Sequence, residues 1–165
     1  MVPEDVVGTP VPGRPDLLKL SQEPTLVVPN PHHSSRTKAR KQALDILFEA
    51  ELRDRDLVTT LDEHIATGDP SVRDYAEQIV RGINEQMAQV DQRIADSCSE
   101  GWTLERMPRV DRNLARIGVW EIDHTDAPDE AVIAEAVALA TEFSTDDSAA
   151  FVNGLLAQAS RTKQA

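Results

Sequence analysis

One cysteine, seven glycines and six aromatic residues are all that 165 residues contain of these side chains, and each shortage excludes a class of function. Cys98 alone allows neither a disulfide framework nor a thiolate metal cage, and it fits a reducing setting. The glycines are scattered singly, so no phosphate-cradling loop is present. No apolar run approaches the roughly 20 residues that cross a bilayer. The opening "MVPEDVVGTP" has early acids and no basic-then-apolar signal pattern. A cytoplasmic protein without membrane contact is expected. Of four histidines, His32 and His33 fall in the N-terminal segment, His64 near a helix end and His124 in a loop. Glu121 and His124 in "EIDH" have the i, i+3 spacing of di-iron bundles, but no second pair completes such a site. His124 reads as a solvated histidine and Cys98 as a small residue at a helix end. No catalytic residue, metal or cofactor is expected.

Positive charge is scarce and concentrated. The chain carries a net charge of −12. Residues 1–35 hold two basic and four acidic side chains, and residues 42–165 hold 11 and 25. Between them, "RTKARK" puts Arg36, Lys38, Arg40 and Lys41 into six residues with no acid. An acidic body repels nucleic acid in general, so any polyanion must be held locally, at this segment.

Residues 1–33 contain seven of the ten prolines and no aromatic residue, with only "LLKL" and "LVV" as apolar clusters. Such a segment buries too little to offset its ordering entropy, and it reads as a disordered Pro-rich tail. From 34 to 160 the apolar period is helical almost throughout. Ser34 or Ser35 caps a first helix with Ala39, Ala43, Ile46, Leu47 and Ala50 inward. A second helix, about 57–67, ends at Gly68. "GDPSVRDYAEQIVRGINEQMAQVDQRIAD" reads as one strong helix capped by Asp69, with Pro70 in its first turn. "TLERM" is a short turn, and Pro108 opens a helix with Val110, Leu114, Ile117 and Trp120 inward. Pro128 opens another, whose apolar face runs from Val132 to Phe143. The last is "DDSAAFVNGLLAQAS", with Phe151, Val152, Leu155 and Leu156 inside. The expectation is an all-α fold of about seven helices, with 161–165 a C-terminal tail. The short loops imply a bundle of sequential neighbours.

Three stretches ask for a reason. The four cations sit at a helix start, where the macrodipole disfavours positive charge. They are either a solvated cluster or a surface that meets phosphate. Their segment has no interleaved aromatic residue, so contact would be mainly to phosphate with little base stacking. In "PRVDRNLARIGVWEI", Arg109, Arg112 and Arg116 form a stripe ending near Trp120, either paired with acids or facing a partner. In "FSTDDSAAFVNGLL", Asn153-Gly154 lies inside a helical pattern, where glycine costs about 1 kcal/mol relative to alanine. Close helix approach or Asn153 tying down a loop would justify it.

In order, the arginine-rich opening with "A-x-x-x-LF", "R-x-D-R-x-L-x-R-I-x-x-W-E", "V-I-x-E-A-V-x-L-A" and "F-S-T-x-D-S-x-x-F-V-N-G-x-L" resemble the NusB family of transcription antitermination factors, over about residues 35–158. The resemblance implies two small helical bundles packed across each other. It implies binding of the boxA element of nascent ribosomal RNA with NusE, a small-subunit ribosomal protein, so that RNA polymerase passes termination signals. By position, the RNA-binding residues it implies are Arg36, Lys38, Arg40, Lys41, Asp147 and Phe151. Phe151 is then partly exposed, against its place in the apolar stripe. Asp111, Arg112, Arg116 and Trp120 lie on a helix that the resemblance turns toward RNA or NusE. A homodimer that buries the RNA surface as a storage form is a further expectation from the family. The chain departs from the pattern at Ala134, where asparagine is usual, and at Asn113, where an apolar residue is common. The alternatives are a helical accessory domain assisting a ribosomal RNA cytosine methyltransferase, or an adaptor that binds protein only.

Overall fold

The computed structural model describes residues 9–11, 14–19, 27–29 and 35–163. Helix α1 (Arg36–Leu52) turns Ala39, Ala43, Ile46, Leu47 and Ala50 inward, as the spacing predicts. Ser35 takes the N-cap position without a capping hydrogen bond from its side chain, and Ser34 lies outside the described residues. Helix α2 (Leu57–Thr67) is capped by Asp56, whose Oδ2 accepts from the Thr59 N–H at 3.0 Å, and it ends on Gly68 at φ 67°.

The one long helix expected from residue 69 onward is two helices, α3 (Asp74–Glu85) and α4 (Met87–Ser97). It starts late because Gln42 of α1 holds the approach. Its amide donates to the Ser71 carbonyl at 2.9 Å and accepts from the Arg73 N–H at 3.0 Å. It breaks at Gln86 (φ −114°, ψ 21°), whose N–H is shared between the Gly82 and Ile83 carbonyls. The apolar stripe Ile79, Val80, Ile83, Val90, Ile94 continues across the break, so the period shows no sign of it.

A 3-10 turn (Leu104–Arg106) precedes α5 (Arg109–His124), α6 (Asp129–Phe143) and α7 (Asp146–Arg161). Helices α1–α3 pack together, and α4 joins α5–α7. Helix α5 touches both groups through α1 and α3. The two small packed bundles are therefore present, with α5 as the shared member. Burying Leu114, Ile117, Val119 and Ile122 of α5 contributes roughly 1.5–3 kcal/mol per side chain before entropy is counted.

Where the Pro-rich segment is described, it contains β1 (Thr9–Val11), β2 (Arg14–Lys19) and β3 (Val27–Pro29), paired antiparallel in that order. In the register, Leu17 lies opposite Pro29, Leu18 opposite Val28 and Lys19 opposite Val27. The rest of the expected Pro-rich tail lies outside the described residues. His32 and His33 lie outside the described residues. At the other end, α7 runs to Arg161, and the first residues of the expected tail are tied down. Arg93 Nη1 donates to Thr162 Oγ1 at 2.8 Å, and Lys163 Nζ lies 3.5 Å from Asp129 Oδ1.

Two packing expectations fail. Phe143, read as core, is 40% exposed at the end of α6. Gly154 makes no close helix approach, since a Cβ there would meet nothing within 4 Å, and no side-chain hydrogen bond ties exposed Asn153 to a described residue. Close approaches are at Gly82, where a Cβ would fall inside the Trp120 indole, and at Gly118, where it would lie 2.6 Å from the Leu156 side chain.

Candidate nucleic-acid interface

The four cations of α1 divide. Arg36, Lys38 and Lys41 are exposed and form no ion pair among the described residues. The Arg36 guanidinium lies 4.5 Å from the Tyr75 ring centre on α3, and Lys41 Nζ lies 5.2 Å from the Phe143 ring centre at the end of α6. The positive end of α1 thus runs from its α3 flank to its α6 flank.

Arg40 is withdrawn from this surface, which corrects the four-cation cap. It lies on the buried side of α1 with Thr37, Leu44 and Leu47, 5% exposed. Its Nε donates to both Glu121 oxygens at 3.0 Å, its Nη2 lies 2.9 Å from Oε1, and Nη1 is 3.8 Å from Glu135. Burial opposes the guanidinium charge, but the hydrogen bond and charge of Glu121, with Glu135, outweigh it and raise its pKa. Glu121 is itself 1% exposed. The "W-E" of α5 and the arginine-rich opening are therefore two halves of one buried ion pair. Glu121 is thereby committed away from His124, which is exposed as the last residue of α5.

The Tyr75 hydroxyl donates to Glu121 Oε1 at 2.5 Å. Burial, then the hydrogen bond and charge of Glu121, push this phenol up to about 12 from its usual 10. The fold keeps a proton that the unfolded chain releases, so this contribution to stability is full below about pH 10 and is lost as pH rises through about 12. Tyr75 is the chain's one tyrosine, so phenolate absorbance reads it directly. A midpoint near 12 is expected; one near 10 would contradict the hydrogen bond.

The α5 stripe also turns inward. Asp111 is 3% exposed and accepts from the hydroxyls of Ser144 (2.7 Å) and Ser148 (2.8 Å). This clamp ties the start of α5 to the α6–α7 junction and explains both serines of "FSTDDS". Arg112 donates to the Leu104 and Met107 carbonyls at 2.7 and 3.0 Å and pairs with Glu51. Arg116 pairs with Asp91 at 2.9 Å. Asn113, the departure from the family pattern, is fully buried and donates to Glu51 at 2.7 Å. Trp120 is 8% exposed in the core. Asp111, Arg112, Arg116 and Trp120 thus hold α5 in place; Arg109 alone of the stripe is exposed.

On α7, Asp147 is exposed and Phe151, one turn on, is half-buried, as the resemblance implies against the apolar period. The Phe151 ring lies 5.3 Å from that of Trp102, which is 44% exposed, and Arg106 stacks 5.4 Å from the same indole. Spacing gives no hint that Phe151 meets Trp102 or that Phe143 meets Lys41, because these contacts join residues about 50 and about 100 positions apart. The visible signal was Trp102 in "GWT", a tryptophan outside any apolar stripe. Cys98 is a half-buried C-cap whose burial raises its thiol pKa, so it is a poor nucleophile. Among the described residues no group of three His, Cys, Asp or Glu could hold a metal.

The NusB family model matches residues 37–161. The transcription antitermination protein NusB of Nocardioides sp. is 48% identical over 131 residues, covering 79% of this chain and 96% of the relative. That of Cutibacterium acnes is 55% identical over 123 residues, 74% of this chain. The alignment spans 47% of that longer relative. T. maritima NusB superposes with a TM-score of 0.70 at 31% identity, covering 79% of this chain and 93% of that one. The NusB chain type is also solved in a complex described as antitermination factors NusB and NusE with double-stranded RNA. That match has 23% identity and a TM-score of 0.67, over 76% of this chain and 96% of the other, and shows the shared fold. By the family match along most of its length, and by relatives at about half identity, this chain belongs to the NusB family.

Proposed function

We propose that this protein is a transcription antitermination factor that binds boxA RNA of nascent ribosomal RNA transcripts together with NusE, so that RNA polymerase reads through terminators. The observation that carries the RNA reading is that Arg36, Lys38 and Lys41 are exposed and form no ion pair among the described residues, on a body that is otherwise strongly acidic. Phosphate placed there offsets the dipole cost of cations at a helix start and releases counterions. Asp147 and Phe151 lie across the α6–α7 junction from Lys41 and extend the surface. Antitermination is supported by the relatives' names, and NusE as a partner by the NusB–NusE complex that shares this fold. Action within an RNA polymerase complex and in the cytoplasm follows from the same role; among the described residues no helix is long and apolar enough to cross a membrane. A homodimer that covers the cationic surface belongs to this proposal as a storage form.

The test is a titration of labelled boxA RNA with the full chain, with and without NusE, at several salt concentrations. Binding that tightens with NusE and weakens with salt is expected. Absence of RNA binding under all conditions would leave a protein-only adaptor. Light scattering of the same samples reads the dimer: mass should fall on adding RNA, and an unchanged monomer mass removes the storage form.

A further inference from the structure

We infer that Trp102, backed by Phe151 and Arg106, is a stacking platform for an unpaired base of the bound RNA, at the end of the interface opposite the α1 cations. The inference rests on the RNA-binding reading and adds base contact to a surface whose cations alone reach only phosphate. Trp102 is the more exposed of the chain's two tryptophans, at 44% against 8% for Trp120. It is held without being buried. Its backbone N–H donates to the Ser99 carbonyl at 3.2 Å, and Phe151 meets its ring at 5.3 Å with a 47° tilt. Arg106 stacks 5.4 Å from the indole and is itself fixed by donating to the Gly101 carbonyl at 2.6 Å. An aromatic face fixed in advance loses little entropy when a base stacks on it.

The platform is linked to the cationic end through the α6–α7 junction. Lys41 meets Phe143, the neighbouring Ser144 is clamped with Ser148 to Asp111, and Phe151 follows Ser148 by one turn of α7. Exposed Arg106 and Arg109 stand among exposed Glu100, Glu105 and Asp147, two cations against three acids, so the contact expected here is to a base and not to phosphate. A planar base is the occupant that suits an exposed indole with a stacked guanidinium; stacking on aromatic rings and arginine planes is how proteins take unpaired RNA bases. In a duplex the base faces are already stacked, so the platform selects single strands.

The test uses the full-length protein with a single-stranded boxA oligonucleotide and the same sequence as a blunt duplex. Labelled-RNA anisotropy reads binding, and indole fluorescence reads the environment of Trp102, with buried Trp120 as internal reference. Single-stranded RNA should quench emission, the duplex should quench it far less, and Trp102→Phe should abolish the quenching. Trp102→Ala should weaken single-strand binding roughly tenfold, while Trp102→Phe, which keeps a ring against Phe151, retains most of it. Full RNA binding without quenching, or equal affinity of Trp102→Ala and wild type, overturns the platform and leaves the RNA reading standing. No RNA binding by the wild type overturns both.

Discussion

Replacing Arg40 by alanine is expected to cost about 3–5 kcal/mol of folding stability, because it leaves Glu121 charged and buried without its partner. That is a large share of the roughly 5–15 kcal/mol by which a domain is stable. The loss comes from the carboxylate left behind, so removing both charges is the informative control. Arg40→Met should be strongly destabilised, and Arg40→Met with Glu121→Met should recover much of the loss, since a buried pair exchanged for apolar side chains is often near neutral. Recovery will be incomplete, because Tyr75 and Thr37 lean on the same network. Arg40→Lys keeps the charge but not the planar fork that spans both Glu121 oxygens, and it should fall between. Denaturant unfolding checks all four. A stable Arg40→Ala protein with weakened RNA binding would return Arg40 to the surface role that its neighbours have.

Gly82→Ala is expected to destabilise by about 1–3 kcal/mol, although alanine is worth about 1 kcal/mol over glycine in a helix. The new methyl would occupy space filled by the Trp120 indole, a rigid ring held 8% exposed between α3 and α5. The ring must tilt out or the helices must separate. In a Trp102→Phe background, where Trp120 is the sole indole, its emission should shift to longer wavelength. Gly154→Ala is the matched control. It lies on an open face of α7 at negative φ, so it should gain up to about 1 kcal/mol. Equal gains at both positions would contradict the α3–α5 contact.

Most helices were legible because each presents a stripe of apolar residues to one neighbour, and Gly68, Pro108 and Pro128 mark their ends. The break at Gln86 was not, because the stripe that passes through it is uninterrupted and the cause is packing, not composition. Nor was the late start of α3, which depends on Gln42 from another helix. The site divided along a physical line. Exposure of Lys38 and Lys41 could be read from their distance around the helix from Ala39, Ala43 and Ile46. The fate of Arg40 could not, because a cation is drawn into a core only when a buried acid waits there, and Glu121 lies 81 residues away. Likewise, Asp111, Arg112 and Arg116 look like an interface in one dimension and are internal fasteners in three. Family resemblance pointed to Phe151 as partly exposed where periodicity placed it inside, and the structure sides with the resemblance.

On this account an acidic protein binds RNA through Arg36, Lys38 and Lys41, which form no ion pair among the described residues, while Arg40 holds the fold together. The most direct measurement is the salt dependence of boxA RNA binding for the wild type and for a variant carrying Arg36→Gln, Lys38→Gln and Lys41→Gln. If each cation neutralises one phosphate of single-stranded RNA, the slope of log K against log salt becomes shallower by about 2 in the variant. Affinity should fall with it, and unfolding stability should stay within about 0.5 kcal/mol per substitution, as at other exposed positions. Equal affinity and equal slope in the two proteins would show that the trio is a solvated face and that the RNA, if bound, is held elsewhere.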